Sequence, residues 1–246
     1  MRNIVSLIDR KFYSGYSKNW DDQEFRRQIQ SRLKPDHWLL DLGAGAGIVE
    51  QMNFRGLASQ VCGVDPDERV RQNPYLDEGR VGVGENIPYP DKSFDIVIAD
   101  NVLEHLDNPQ QVFLEINRVL KPGGFFLFKT PNRWHYMPLI AQLTPTRFHK
   151  FFNKLRGRAT VDTFPTRYKA NSSRAIKALA RQCGFDVAEI QVIEGRPEYL
   201  RFSAITYLCG LIYERLVNSL SLFSFARILL IGHLQKVSDP VKPRQG

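Results

Sequence analysis

The 246-residue sequence is defined first by what it has little of. It holds three cysteines, Cys62, Cys183 and Cys209, with no Cys-x-x-Cys spacing. That excludes a disulfide framework and a thiolate zinc site, and suits a reducing compartment. No apolar run is long enough for a bilayer span, and the charged stretch Met1 to Lys11 does not read as a signal peptide. There is no internal repeat and no low-complexity tract. A dinucleotide fingerprint, Gly-x-Gly-x-x-Gly, is also missing: Ile48 stands where its last glycine would be. No Lys-Ser or Lys-Thr follows the glycines, so a phosphate-gripping P-loop is excluded as well.

What is present is organised around Trp38-Leu-Leu-Asp-Leu-Gly-Ala-Gly-Ala-Gly47. Trp38 to Leu42 reads as a buried parallel strand. Gly43, Gly45 and Gly47 allow a sharp turn and close approach of a ligand. A helix is expected over 48–54, its first N–H groups facing that turn. A second strand, 60–64, ends at Asp65, about twenty residues beyond the glycines. A carboxylate there can accept both hydroxyls of an adenosine ribose; Asp65-Pro66 also fits a helix N-terminus. Further strands are expected at 80–83, 94–99, 125–129, 185–193 and 227–236. Helices are expected at 23–33, capped by Asp21 or Asp22, at 109–120, and from Ser172 or Ser173 to Cys183 with Gly184 as stop.

Four motifs then occur in order between residues 38 and 130. They are Asp41-Leu-Gly-Ala-Gly-Ala-Gly47, Asp65, Gly84-Glu-Asn-Ile-Pro88 with Ser93-Phe-Asp-Ile-Val97, and Leu120-Lys-Pro-Gly-Gly124. Together they resemble the class I S-adenosylmethionine (SAM) methyltransferases, in the ubiquinone/menaquinone-type branch (methyltransferase type 11). The resemblance implies a Rossmann-like, seven-stranded, mostly parallel α/β sheet with helices on both faces and an antiparallel last strand. It implies SAM as cofactor, held at Asp41, Gly43, Ala44, Gly45, Gly47, Asp65, Glu85, Asn86, Asp100 and Asn101. One departure stands out: Val83 occupies the position of the family's adenine-binding aspartate.

The resemblance also implies that residues 1–36 form a helical lid with Tyr13, Tyr16 and Trp20, packing on the domain edge being the alternative; residues 37–237 are expected to form the catalytic domain and 238–246 a disordered tail. Insertions fall at 131–171 and 196–222. The first carries eight cations against one acid, Asp162, almost the whole of the chain's net charge of +8. Clustered there with aromatics, they point to an anionic substrate or surface. Over 199–220, Ala204, Ile205, Leu208, Leu211, Ile212 and Leu216 share one helical face. Its uncharged stretch is too short to span a bilayer and suits a buried or interfacial helix.

Methyl transfer from a sulfonium is an in-line displacement, so positioning dominates. Where the acceptor also loses a proton, a base helps. His105, beyond strand four, is the first candidate; His135 and His149 follow. Some quinone-pathway relatives bind a divalent metal through Glu-x-x-Glu-His. Here Asn101-x-x-Glu104-His105 lacks the first carboxylate, and no metal is expected unless Asp100 compensates. The expected activity is methylation of a small-molecule or lipid-linked, partly anionic acceptor at oxygen or carbon. The expected setting is cytoplasmic, with peripheral contact at the inner face of a membrane. Two alternatives stay open: an RNA methyltransferase, and a non-catalytic SAM-binding module.

Overall fold

The computed structural model describes residues 2–17, 19–143 and 165–239. Seven strands form one sheet: β1 (Trp38–Leu42), β2 (Gln60–Asp65), β3 (Glu78–Val81), β4 (Phe94–Asp100), β5 (Leu120–Pro131), β6 (Phe185–Ile193) and β7 (Leu229–Lys236). Their spatial order is β3-β2-β1-β4-β5-β7-β6. The β3 to β5 neighbours are parallel, with Leu40 opposite both Cys62 and Val97, and β7 runs antiparallel to β5. Strand order reverses between β1 and β4, so the carboxyl ends of β1, β2 and β4 border the crevice where open α/β sheets bind ligands. Leu39, Leu40, Val61, Val64, Ile96, Val97 and Ile98 are fully buried, as a sheet covered on both faces requires.

The helices of the described residues are α1 (Arg2–Phe12), α2 (Trp20–Gln30), α3 (Pro109–Val119), α4 (Tyr136–Leu143), α5 (Ser173–Gln182) and α6 (Ala204–Ser219). Helix α3 starts as expected. The Asn108 side chain accepts from Gln111 N at 3.3 Å, and Pro109 sits where a missing N–H costs nothing. Ser172 caps α5, and Gly184, at φ +79°, ends it. The Leu120-Lys-Pro-Gly-Gly124 segment bulges out of β5: Phe94 pairs with Leu120 and Ile96 with Phe125, so one residue of β4 faces four of β5.

Three expectations are corrected. The 48–54 segment is no α-helix, holding only a 3₁₀ turn at Glu50–Met52. Arg26 of α2 donates one guanidinium nitrogen to the carbonyls of Gln51 and Asn53, both at 2.7 Å, and lies over the Phe54 ring. Those bonds end the segment in an extended conformation at Asn53. Strand β3 begins two residues earlier than expected, its register set by Cys62 opposite Glu78. Asp21 and Asp22 do not cap α2; they lie within its first turn and pair with a lysine described below.

The chain divides into two compact units. One comprises Met1–Trp20, Pro131–Pro165 and Val192–Leu229; the other comprises Asp21–Thr130, Thr166–Gln191 and Leu230–Gly246. Within the first unit, Ile8 and Tyr13 pack on Tyr207 and Leu211 of α6. Tyr13 stacks on Tyr207 with centroids 6.0 Å apart, and Tyr16 bridges edge-on from Tyr13 to Trp20. The buried face of α6 carries Tyr207, Gly210, Leu211, Glu214 and Val217. Of the residues expected to share one face, Leu211 is buried while Ile205, Leu208, Ile212 and Leu216 are exposed.

Candidate cofactor and methyl-transfer site

The site is built within the second unit, on the ends of β1, β2 and β4. All three glycines of the turn after β1 have positive φ, +82°, +51° and +72° at Gly43, Gly45 and Gly47. They differ in what surrounds them. A side chain at Gly43 would collide with Val102, and one at Gly47 with Asn73. At Gly45 the nearest atom to an added Cβ is Asp65 Oδ2, 3.9 Å away, so main chain there stays open to a ligand.

Asp65 and Asn73 tie the turn down. The Asp65 carboxylate accepts Gly45 N at 2.9 Å and Asp67 N at 2.8 Å. Each oxygen keeps a second lone pair, so a diol can still be bound. Asn73 donates its amide to the carbonyls of Ala44 and Gly45 at 2.9 and 3.2 Å. Sequence reasoning missed Asn73; its one signal is Asn73-Pro74, a turn former after β2. The N-terminal capping role falls to Asp67 rather than Asp65.

Charge at the strand ends is unbalanced. Burial raises the Asp41 carboxyl to about 8, reinforced by the facing Asp100 and Asp65. Burial lifts Asp100 to about 6 against the pull of Lys129. Lys129, fully buried on β5, is held by Asp22, by Asp21 at 3.3 Å and by Asp100 at 3.0 Å. Those carboxylates keep its amine above the usual lysine range despite the penalty of burial. Lys129 thus links α2 to the end of β4. In the sequence it reads only as the last residue of a strand, because two of the three acids that hold it, Asp21 and Asp22, lie 108 and 107 positions away.

Past β4, Asn101 takes φ +54° and donates its side-chain amide to Asp100 at 2.8 Å. A short turn, Leu103–His105, places Glu104 inward. Glu104 Oε2 accepts from Thr130 at 2.9 Å, Asn171 donates to the same Thr130 hydroxyl at 2.6 Å, and burial raises Glu104 to about 7. His105, half-buried, holds Nε2 3.9 Å from Glu104 Oε1. Glu85 and Asn86 form a turn after β3, closed by the Val83–Asn86 bridge, and Glu85 O accepts from Gln111 at 3.3 Å.

His135 belongs to the other unit. It is buried, 3.9 Å from the Tyr136 ring and 5.6 Å from Tyr213, with Nδ1 accepting Met137 N. Burial lowers it to about 3 and raises Glu194, 3.6 Å away, to about 8. Burial disfavours the charged form of both. His149 and much of the basic insertion, Arg147, Lys150, Lys154, Arg156 and Arg158 included, lie outside the described residues. So do residues 240–246 of the tail. Among the described residues no three His, Cys, Asp or Glu side chains gather as metal ligands. Asp100 and Glu104, the candidates for that role, are engaged by Lys129 and Thr130.

Comparison with known proteins agrees with this geometry. Residues 40–128 match the family model described as "Methyltransferase domain". A probable S-adenosylmethionine-dependent methyltransferase of Mycolicibacterium smegmatis is 38% identical over 104 residues, 41% of this chain and 40% of that protein. A ubiquinone biosynthesis O-methyltransferase of Maricaulis maris is 35% identical over 104 residues, 39% of this chain and 41% of that protein. The chain thus spans about two fifths of the length of these relatives. In fold, it resembles a geranyl diphosphate C-methyltransferase from Streptomyces coelicolor, solved with S-adenosyl-L-homocysteine. The TM-score is 0.55 at 18% identity, covering 88% of this chain and 77% of that one.

Proposed function

We propose that this chain, whose residues 40–128 form a SAM-dependent methyltransferase domain, methylates an oxygen or carbon of a small-molecule or lipid-linked, partly anionic acceptor. The observation that carries the cofactor assignment is the strand-end charge. Asp41, Asp65 and Asp100 crowd around a turn left open at Gly45, with Lys129 as the buried ammonium among them. A cofactor with a sulfonium and an ammonium fits that excess of carboxylate, and its ribose hydroxyls fit the spare lone pairs of Asp65. The main chain of Gly43, Ala44, Gly45 and Gly47 would hold its amino-acid tail. Glu85, Asn86 and Asn101 would border the nucleoside.

When bound, SAM supplies an electrophilic methyl on a positively charged sulfur that departs as a neutral thioether. The chain's own part is alignment and, for a hydroxyl or acidic carbon, removal of a proton. His105 accepts that proton on a ring nitrogen, with the Glu104 carboxyl 3.9 Å from its Nε2. Such a base contributes about 10²–10⁴-fold. Helix α2 serves as cover, a reading supported by the Lys129 link to Asp21 and Asp22. The acceptor class rests on the basic, aromatic insertion and on the quinone and geranyl diphosphate substrates in the relatives' names.

The test is tritiated-methyl transfer from SAM into a fractionated lysate, alongside calorimetry with SAM. Label in the organic-extractable fraction, reduced at least tenfold by His105→Asn with SAM affinity retained, is the expected result. Label in RNA, or no heat with SAM, overturns the assignment.

A further inference from the structure

The chemistry of α1, α6 and the turn after α6 identifies an interaction surface and the partner it suits. On α6, Ile205 is 76% exposed and Ile212 61%, with Leu208 and Leu216 continuing the same stripe at helical spacing. The 3₁₀ turn Ser221–Ala226 adds Leu222, 76% exposed, and Phe225. Helix α1, packed on α6 through Ile8, adds Ile4 and Leu7. Scattered surface apolar residues are ordinary; a row of this length on adjoining elements marks an interaction site.

The charges say what covers it. Over 2–12 and 198–226 the acids are Asp9, Glu198 and Glu214. Arg201 holds Asp9 at 2.6 Å and Glu198 at 2.9 Å, and Arg215 holds the buried Glu214 at 3.3 Å. Arg10 and Lys11, exposed in the last turn of α1, add positive charge. An aliphatic stripe bordered by cations, with its acids already paired, complements an anionic bilayer surface. It does not suit a second copy of the chain, which would bring like charge to like. Nucleic acid is a poorer match, because the α6 stripe itself is aliphatic and the exposed rings Phe202, Phe223 and Phe225 only flank it in the chain. No described helix is long and apolar enough to cross a membrane, so the contact lies in the interface plane.

We infer that the α1–α6 face seats the protein on anionic membrane, where a lipid-linked acceptor would be met. This deepens the methyl-acceptor reading above and rests on it only for the acceptor. The membrane contact itself is independent of SAM.

Cys209 provides the probe: it is exposed in the middle of the α6 stripe, while Cys62 and Cys183 are buried. The full chain, labelled at Cys209 with an environment-sensitive fluorophore, is mixed with phosphatidylglycerol-containing vesicles and with pure phosphatidylcholine vesicles. Expected is a blue shift and flotation with the anionic vesicles, weakened by salt and reduced at least tenfold in Ile205→Glu/Ile212→Glu, whose SAM affinity stays unchanged. No flotation at low salt, or flotation that the double substitution does not reduce, overturns the inference. A blue shift without lipid, accompanied by a dimer on size exclusion, overturns it in favour of a second copy. Loss of SAM binding in wild type would instead strike the methyl-transfer reading and leave the membrane result standing.

Discussion

Replacing Asp41 by asparagine separates folding from cofactor binding, because the same buried charge acts on both in opposite directions. Without cofactor the Asp41 carboxyl is raised from 3.8 to about 8 by burial and by Asp100 and Asp65. The folded chain therefore holds a proton that the unfolded chain releases, and stability falls as pH climbs from about 4 to about 8. The shift of about four units is worth at most roughly 5 kcal/mol once pH exceeds 8, at about 1.4 kcal/mol per unit. An asparagine amide carries no charge but remains a buried polar group, which offsets part of the gain. Asp41→Asn is therefore expected to stabilise the cofactor-free protein by about 2 kcal/mol at pH 8, raising Tm by roughly 4–8 °C for a chain of this size. At pH 4 the two proteins should melt together.

SAM should reverse the order. A cationic ligand requires the ionised carboxylate, so binding releases a proton, and wild-type affinity should tighten up to about tenfold per pH unit between 6 and 8. The variant should bind at least tenfold more weakly at pH 8, and the part of the slope owed to Asp41 should vanish. Urea unfolding and calorimetry across pH 4–9 measure both effects. A stability difference independent of pH, or an unchanged affinity slope, would refute the view that Asp41 is a strained carboxyl waiting for a cation.

Three further outcomes follow from the same site. Gly45→Ala adds a methyl into open space at φ +51°, so it should lose only about 1 kcal/mol of stability while weakening SAM at least tenfold. Gly43→Ala, which runs into Val102, should lose roughly 2–4 kcal/mol by thermal melting; normal SAM affinity in Gly45→Ala would show that nothing approaches that turn. Lys129→Met strands Asp21, Asp22 and Asp100 without their shared ammonium, and should lose roughly 3–5 kcal/mol. Hydrogen exchange should localise the loosening to α2, and an α2 as protected as in wild type would contradict the tether.

Much of the fold was legible along the chain, because its signals are local. Alternation and apolar runs marked six of the seven strands within a few residues, and β6 residue for residue. Pro109, Ser172 and Gly184 marked helix ends, since these signals act between neighbours in sequence. The glycine turn and Asp65 were legible for the same reason: positive φ and a strand-end carboxylate are properties of single positions.

Tertiary structure decided what depends on partners far away in the chain. Arg26 fixed the carbonyls of Gln51 and Asn53 where the segment runs on extended after its one 3₁₀ turn. Asn73 pinned the turn at Ala44 and Gly45. The amphipathic pattern of 199–220 located a helix but not its outward side. Tyr207 and Leu211 found Ile8 and Tyr13 to pack on, which left Ile205, Leu208, Ile212 and Leu216 exposed. Lys129 reads as an ordinary strand end until Asp21, Asp22 and Asp100 surround it. Spacing in sequence reports which side chains share an element; the value of a charge depends on what the fold brings within a few ångströms of it.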